Sequence, residues 1–315
     1  MRCADTPQSR LSRSLYMGWG STRGPAQPPR YLSCSISGLS RKCWGSAALA
    51  CVLWACSLQA AALELAPVKA NLWSERDGIS PGQPFTLGLR LLHAPGWHSY
   101  WVIPGDAGLP TKLTWRLPAG VSAGPILWPT PHRLPVGPLV DYGYEGDTLL
   151  LTDLQAASDL PPGSEVLIQA KAQWLMCHDV CIPASQELTI TLPVRQAAAL
   201  HRGANAAAFE RARAQIPRDL KLSGASATRA GTQVTLTFAI PGSGMPRRLE
   251  FFPLEPARIE PSAPQTLRPN GDMVQLELTA AQPVAADFRT LRGVLQADGG
   301  LDAGGWVGTI EVPIR

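Results

Sequence analysis

The amino-acid sequence predicts an all-β protein made of two antiparallel β-sandwiches joined by a short helix. From Pro67 onward, short runs that alternate apolar and polar residues are separated by turns rich in proline and glycine. Seven or eight strands at this spacing are typical of a sandwich. Near Arg195 the composition changes, and a second series of alternating runs follows. The chain of 315 residues is therefore expected to contain two β regions.

The predicted strands follow the apolar alternation, which repeats every two residues in a half-buried strand. In the first region they lie at 68–72, 85–91, 113–117, 148–154, 165–174 and 186–194. In the second region they lie at 234–240, 249–251, 274–278, 293–296 and 306–314. Between the regions, an Ala/Arg-rich run predicts a helix from Ala206 to Gln215, capped by Asn205 and stopped by Pro217.

These patterns divide the chain into five segments. They are an extension that is disordered or comes from an upstream start codon (1–40), a signal peptide (41–62), a first sandwich with a cysteine pair (66–197), a helical linker (198–218) and a second sandwich (219–315). The second sandwich contains no cysteine and no acid/base constellation, so it is expected to be a spacer or docking module.

The segment 41–62 has the three parts of a secretory signal. Arg41 and Lys42 begin it, an apolar core follows, and three alanines offer small residues for cleavage after Ala62. An uncleaved anchor and lipidation at Cys56 are the alternatives, and Met17 is one later start site. The sequence thus predicts export to the periplasm.

Charge and cysteine usage change once the signal is set aside. Residues 1–62 carry seven of the 28 Lys/Arg and one of the 24 Asp/Glu residues, which leaves 21 basic and 23 acidic residues. This balance predicts no nucleic-acid partner. Five of the seven cysteines also lie there, so the exported part keeps Cys177 and Cys181. In an oxidising compartment this pair is expected to form a disulfide.

Cys177 and Cys181 lie in the connection between two predicted strands. A thioredoxin-type site needs Cys-x-x-Cys at the start of a helix, and this spacing is one residue longer. Zinc needs four ligands, and beyond the two cysteines only His178 lies near, so no metal is predicted. The sequence contains no nucleotide or phosphate fingerprint and no hydrolase motif, so no cofactor is predicted. The other histidines receive no chemical role.

A structural disulfide and a redox disulfide both remain open for this pair. Closing so short a loop removes only ~2 kcal/mol of unfolded-chain entropy, against ~4.7 kcal/mol for a loop of about 100 residues. A weak staple in an accessible loop is better suited to thiol–disulfide exchange than to stabilisation. The residues therefore favour the redox role.

Four motifs resemble the N-terminal periplasmic region of the DsbD/ScsB thiol:disulfide interchange reductases. They lie at 96–101 (GWHSYW), 104–110 (PGDAGLP), 141–146 (DYGYEG) and 174–183 (WLMCHDVCIP), and the resemblance covers roughly residues 66–315. It implies an immunoglobulin-like sandwich that receives electrons from a membrane-spanning disulfide reductase through its thioredoxin-like domain. It also implies that the electrons pass to periplasmic thioredoxin-fold thiol proteins, as a protein-disulfide reductase component.

The resemblance also implies roles for individual residues. Cys177 and Cys181 are the redox pair, with Cys181 as the exchanging sulfur and Cys177 as the resolving one. Tyr142 and Gly143 match the Tyr-Gly of an aromatic cap loop that shields the pair until a partner docks. Because Asp141 stands where the family has an aromatic residue, Tyr144 is a possible substitute.

Two neighbours are expected to tune the thiols. A cationic His178 lowers a nearby thiol pKa, whereas Asp179 raises it, so modest activation is expected. The DsbD branch has a longer gap between its cysteines, and its members usually continue into a membrane bundle and a thioredoxin-like domain. Because this chain stops at Arg315, the electron source is expected on another polypeptide, or the gene is truncated.

The substrate stays open among disulfide isomerases, cytochrome c maturation thioredoxins and copper-resistance proteins. The alternative function is a non-catalytic secreted β-sandwich that binds a protein partner through its aromatic loops, with a permanent disulfide. The two functions differ in reduction potential, because structural disulfides typically lie below about −300 mV and resist glutathione.

Overall fold

The computed structural model describes residues 66–241, 245–298 and 305–315. The predicted extension and signal peptide lie outside these residues. The strands of the first sandwich are β1 (Val68–Ser74), β2 (Pro84–His93), β3 (His98–Gly105), β4 (Lys112–Arg116), β5 (Val121–Leu127), β6 (His132–Val136), β7 (Leu139–Glu145), β8 (Asp147–Ala156), β9 (Glu165–Cys177) and β10 (Cys181–Pro193).

A 3₁₀ turn at Ala197–Ala199 and helix α1 (Ala206–Ala214) lead to the second sandwich. Its strands are β11 (Arg218–Asp219), β12 (Ser226–Ala230), β13 (Gln233–Phe238), β14 (Arg248–Pro253), β15 (Thr266–Asn270), β16 (Met273–Thr279), β17 (Thr290–Asp298) and β18 (Trp306–Pro313).

Four sheets form the two sandwiches. The first sheet has the order β1-β2-β8-β5, and the second has the order β10-β9-β3-β7-β6, with β4 also paired to β9. The third sheet has the order β11-β18-β17-β14, and the fourth has the order β12-β13-β16-β15. Among these named strands every pairing is antiparallel except that of β11 with β18. The prediction of an all-β fold of antiparallel sandwiches is confirmed.

Apolar alternation builds the core of the first sandwich, as the sequence predicts. In β9, every second residue from Val166 to Trp174 is buried, and in β10 Leu188 and Leu192 are buried beside them. A fully buried valine, leucine or isoleucine among them contributes about 1.5–3 kcal/mol, and the smaller alanines contribute less. The long β9–β10 pair is therefore held by its inner face.

Helix α1 packs on the outer face of the first sheet, so it is more than a connection between the two sandwiches. Phe209 and Ala212 are buried against Leu149 and Leu151 of β8. Asn205 stands at the predicted N-cap position, but its side chain makes no capping hydrogen bond because its backbone, at φ −102° and ψ 8°, is not extended. Its carbonyl accepts the Ala208 N–H instead, at 2.8 Å.

Two buried side chains of the second sandwich pack into the core of the first sandwich instead of the core of their own. Phe252 of β14 and Val294 of β17 join the core cluster of the first sandwich. Arg133 of β6 donates hydrogen bonds to the carbonyls of Pro261 at 2.7 Å and Ala263 at 3.3 Å.

Among the described residues, none of the helices is long and apolar enough to cross a membrane.

The packing of α1 predicts that Phe209→Ala destabilises the first sandwich. The substitution empties a fully buried aromatic site, and such truncations cost about 3–5 kcal/mol. Urea unfolding followed by tryptophan fluorescence measures this loss. Phe209→Leu is the matched control, with an expected cost well below that of the alanine variant because it refills most of the volume. Equal stability of wild type and Phe209→Ala would show that the helix is only a connection.

Candidate functional site

Cys177 and Cys181 form a disulfide at the end of the β9–β10 hairpin. Cys177 is the last residue of β9 and Cys181 the first of β10, and the two are register partners with Cα atoms 4.2 Å apart. The strands therefore run up to the cysteines themselves, beyond the strand ends that the sequence predicts. Only the tight turn of residues 178–180 separates the two strands.

The two cysteines differ in their access to solvent. Cys177 is 2% exposed, whereas Cys181 is an exposed residue. Because a thiol–disulfide exchange begins with attack on one sulfur, the exposed Cys181 is the cysteine of the pair that an incoming thiolate can reach.

Tyr100 of β3 is the residue in closest polar contact with the disulfide. Its hydroxyl lies 2.8 Å from the Cys177 Sγ and donates to it, and it lies 3.6 Å from the Cys181 Sγ. The same hydroxyl also faces Asp141 Oδ2 at 3.3 Å, so its single proton is shared between the sulfur and the carboxylate as acceptors. Burial, with the Asp141 carboxylate and its hydrogen bond adding to it, raises the pKa of the Tyr100 phenol well above its usual value. The phenol therefore stays protonated and remains a hydrogen-bond donor at neutral pH.

Asp141 and His98 complete a buried polar cluster behind Tyr100. Asp141 Oδ1 accepts the Ala107 N–H at 3.2 Å, and its Oδ2 lies 3.5 Å from His98 Nε2. The His98 ring meets the Tyr100 ring edge to face, with centroids 5.2 Å apart. Both Asp141 and His98 are almost completely buried, so the carboxylate depends on these partners rather than on water.

Strand alternation brings this cluster together on one face of the second sheet. His98 and Tyr100 are two apart on β3, so they point to the same face, while Trp101 points into the core. Asp141 lies on the neighbouring β7, and β9 contacts β3 at His98 opposite Cys177. The cluster and the disulfide therefore share the outer face of the sheet.

A glycine-rich loop covers Tyr100. Gly108 has φ +100°, and a Cβ built there would lie 2.2 Å from the Tyr100 ring, so only glycine lets the loop approach this closely. Asp106 fastens the loop to β7, because its Oδ2 accepts the Val140 N–H at 2.7 Å and its N–H donates to the Val140 carbonyl at 3.1 Å. The loop thus keeps water from the Tyr100 ring.

The residues predicted as a cap loop, Tyr142, Gly143 and Tyr144, lie in strand β7 instead of a loop. Both tyrosines are buried in the sandwich core, and the Tyr144 hydroxyl donates to the Pro129 carbonyl at 2.7 Å. A Cβ on Gly143 would come within 2.1 Å of the Ser99 carbonyl, so this glycine permits close pairing with β3. The physical reason for the difference is alternation, which turns both tyrosines away from the face that carries Asp141.

His178 and Asp179, the predicted tuning residues, pair with each other in the hairpin turn. Nδ1 of His178 lies 2.8 Å from Asp179 Oδ2, and both side chains are largely exposed. The His178 ring also lies against Gly96 and 5.8 Å from the Trp97 ring. The Asp179 carboxylate therefore lies beside the His178 imidazole, and the effect of these two side chains on the thiols stays a prediction.

Large apolar side chains are exposed on both sides of Cys181 in the chain and in the 105–110 loop. We name Leu109, Val180 and Ile182 the apolar rim; their exposures are 65%, 62% and 39%, which is high for large hydrophobic residues. Beside the rim is a cleft of about 220 Å³ that Leu109 helps to line, together with Trp174 and Pro183. Such a surface is suited to contact with another protein.

Sequence reasoning missed Tyr100 and His98, although both lie in a quoted aromatic motif. The signal that could have identified them is their two-residue spacing, which places both on the face opposite Trp101. Over the described parts of the chain, no group of three or more His, Cys, Asp and Glu side chains is arranged to hold a metal ion.

Comparisons with known proteins agree with this arrangement. Residues 70–193 match the family model described as the N-terminal part of thiol:disulfide interchange protein DsbD. The fold is similar to the N-terminal periplasmic domain of ScsB from Proteus mirabilis, with a TM-score of 0.60, 16% identity, and coverage of 80% of this chain and 95% of that chain. A protein of unknown function from Porphyromonas gingivalis aligns over 79% of this chain and 99% of that chain. Its TM-score is only 0.23, and its sequence identity is 13%. The comparison with curated proteins found no match.

The contact between Gly108 and Tyr100 predicts that Gly108→Ala displaces the phenol from Cys177. The new methyl group overlaps the ring, so the disulfide is expected to react with dithiothreitol at a changed rate. Gly163→Ala is the matched control, because Gly163 has φ +89° but nothing within 4 Å of its added Cβ. Stopped-flow fluorescence measures both rates. Equal rates for the two variants would contradict a role for the contact.

Proposed function

We propose that this protein is a thiol:disulfide interchange module, because residues 70–193 match the model of the DsbD N-terminal domain family. It takes electron pairs from a membrane-spanning disulfide reductase, through a thioredoxin-like domain, and passes them to periplasmic thioredoxin-fold thiol proteins. The observation that carries the proposal is the asymmetry of the disulfide, in which one sulfur is exposed and the other is buried against a hydroxyl donor.

The reaction consists of two exchanges that balance in electrons and protons. A donor thiolate attacks the Cys181 sulfur, the bond between the two cysteines breaks, and Cys177 leaves as a thiolate that takes a proton. The second donor thiolate then attacks the mixed disulfide and releases Cys181. The donor dithiol becomes a disulfide, and the pair becomes a dithiol that has gained two electrons and two protons.

The electrons leave by the reverse chemistry. Cys181 as a thiolate attacks the acceptor disulfide and forms a mixed disulfide, while one acceptor sulfur departs as a thiolate. Cys177 then attacks Cys181, which restores the internal disulfide and releases the second acceptor thiolate. Burial of Cys177 favours its role as the internal, resolving sulfur, since outside molecules cannot reach it.

Tyr100 supports both steps by stabilising charge on Cys177. A hydrogen bond to the charged form of a group lowers its pKa, so the phenol favours the Cys177 thiolate when it leaves and when it attacks. Because the raised pKa of Tyr100 keeps the phenol protonated, the donor is present throughout the neutral range. The 105–110 loop supplies the cover that keeps this hydrogen bond away from water.

The partner surface fits a protein whose own disulfide lies in an apolar setting. Two residues of the apolar rim, Val180 and Ile182, flank Cys181 in the chain, and the large exposed side chains of the rim gain from burial on docking. Thioredoxin-fold proteins are the partners that we propose on both the donor side and the acceptor side. A periplasmic location is supported by the predicted signal peptide and by the periplasmic origin of the ScsB domain with a similar fold.

Cys177→Ala is expected to trap the acceptor. Cys181 can still attack an oxidised thioredoxin-fold protein, but no internal sulfur remains to resolve the mixed disulfide, so a covalent adduct accumulates. Non-reducing electrophoresis and mass spectrometry detect it, and dithiothreitol removes it. Cys181→Ala is the control and should form little adduct, since Cys177 is buried. Absence of an adduct with Cys177→Ala would remove the proposed function.

Tyr100→Phe is expected to slow reduction of the disulfide by dithiothreitol. A hydrogen bond to a charged group contributes about 1.5–3 kcal/mol, so losing it slows departure of the Cys177 thiolate by about tenfold or more. Tyr142→Phe is the matched control with no expected change, because its buried hydroxyl has no hydrogen-bond partner among the described residues. Equal rates for both variants would mean that Tyr100 has no chemical role.

A further inference from the structure

We propose that the second sandwich positions the redox pair and that it does so through the side chain of Phe252. This inference rests on the proposed function and assigns a role to the part of the chain that carries no cysteine. Phe252 inserts into the core of the first sandwich behind the strands whose front faces carry Tyr100 and Asp141.

Two aromatic contacts define the position of Phe252. Its ring meets Trp101 edge to face with centroids 6.2 Å apart, and it meets Tyr142 in the same manner at 5.2 Å. Trp101 follows Tyr100 in β3, and Tyr142 follows Asp141 in β7. One ring from the second sandwich therefore contacts both residues that adjoin the two polar groups of the site.

Strand geometry transmits this contact to the other face of the sheet. Successive side chains on a strand point to opposite faces but share a peptide unit, so a backbone shift at Trp101 also moves Tyr100. The Tyr100 hydroxyl lies 2.8 Å from the Cys177 sulfur and 3.3 Å from Asp141 Oδ2. Hydrogen bonds weaken steeply with changes in distance and angle. A small displacement of β3 against β7 is therefore enough to alter the contact with sulfur.

A second contact fixes the same strands from the side. Arg133 of β6 is the register partner of Tyr142, and its guanidinium donates to the carbonyls of Pro261 and Ala263 in the second sandwich. β6 is the edge strand beside β7. The second sandwich thus holds β7 through the Phe252 ring and holds its neighbour through polar bonds.

Strand β14 also supplies a matched control. Phe251 and Phe252 are adjacent and both fully buried, but Phe251 faces the core of the second sandwich itself. The pairing strand β17 repeats this division, because Leu295 lies opposite Phe251 and Val294 lies opposite Phe252. The two phenylalanines therefore separate a contact with the redox sandwich from stability of the second sandwich alone.

The test measures the rate at which dithiothreitol reduces the disulfide in full-length variants. Phe252→Ala is expected to lower this rate about three- to tenfold. The change should not exceed that caused by Tyr100→Phe, because Phe252 acts by positioning Tyr100. Phe251→Ala should leave the rate within about twofold of wild type, although truncation of either ring lowers stability against urea. If Phe252→Ala does not fold, Phe252→Leu replaces it, with the same direction and a smaller change.

A double-mutant cycle decides whether Phe252 acts through Tyr100. In the Tyr100→Phe background, Phe252→Ala should change the rate no further, because coupled residues are not additive. An unchanged rate in Phe252→Ala, an equal effect of Phe251→Ala, or full additivity with Tyr100→Phe would each overturn the inference.

Failure of the inference is distinct from failure of the proposed function. The small-thiol rate requires no protein partner, so it reports on the site alone. A Cys177→Ala variant that forms no adduct through Cys181 would end the proposed function, whatever the Phe252 variants do. Adduct formation together with an unaltered rate in Phe252→Ala would end only the inference.

Discussion

The register of β9 against β10 is the constraint on which the site depends. Thirteen paired positions run from Glu165 opposite Pro193 to Cys177 opposite Cys181, and the inner face of this ladder is buried in the sandwich. The disulfide itself closes so short a loop that it removes only ~2 kcal/mol of unfolded-chain entropy. The ladder, rather than the covalent bond, therefore holds the two sulfurs together, so the bond can open while the cysteines stay in place.

The second sheet serves two purposes on its two faces. Its inner face carries Trp101, Tyr142 and Met176 in the sandwich core, where they give the sheet rigidity. Its outer face carries Tyr100 and Cys177, whose contact is the chemical centre of the site. Because neighbouring residues on a strand point in opposite directions, each reactive group adjoins a core group. The sandwich core therefore lies directly behind Tyr100 and Cys177.

The ionisable side chains near the disulfide form two groups, one buried around Asp141 and one exposed in the hairpin turn. The buried Asp141 carboxylate has three polar neighbours: the Ala107 N–H, the Tyr100 hydroxyl and the His98 ring. In the exposed turn, His178 and Asp179 pair with each other, and their interaction is screened by solvent. The Tyr100 hydroxyl that faces the Cys177 sulfur is neutral, so its contact with the sulfur is a hydrogen bond and not an ion pair.

The sequence by itself determined the β class, the alternating face of β9 and the place of the cysteine pair between two strands, because period-two burial is a local property of the chain. It could not determine that Tyr100, 77 residues before Cys177, donates to its sulfur, or that Tyr142 faces the core. Nor could it assign Phe252 a contact with Trp101, since the two lie on different sandwiches. Only the tertiary structure decided these contacts, because they depend on which strands become neighbours in a sheet and on which face each strand turns inward.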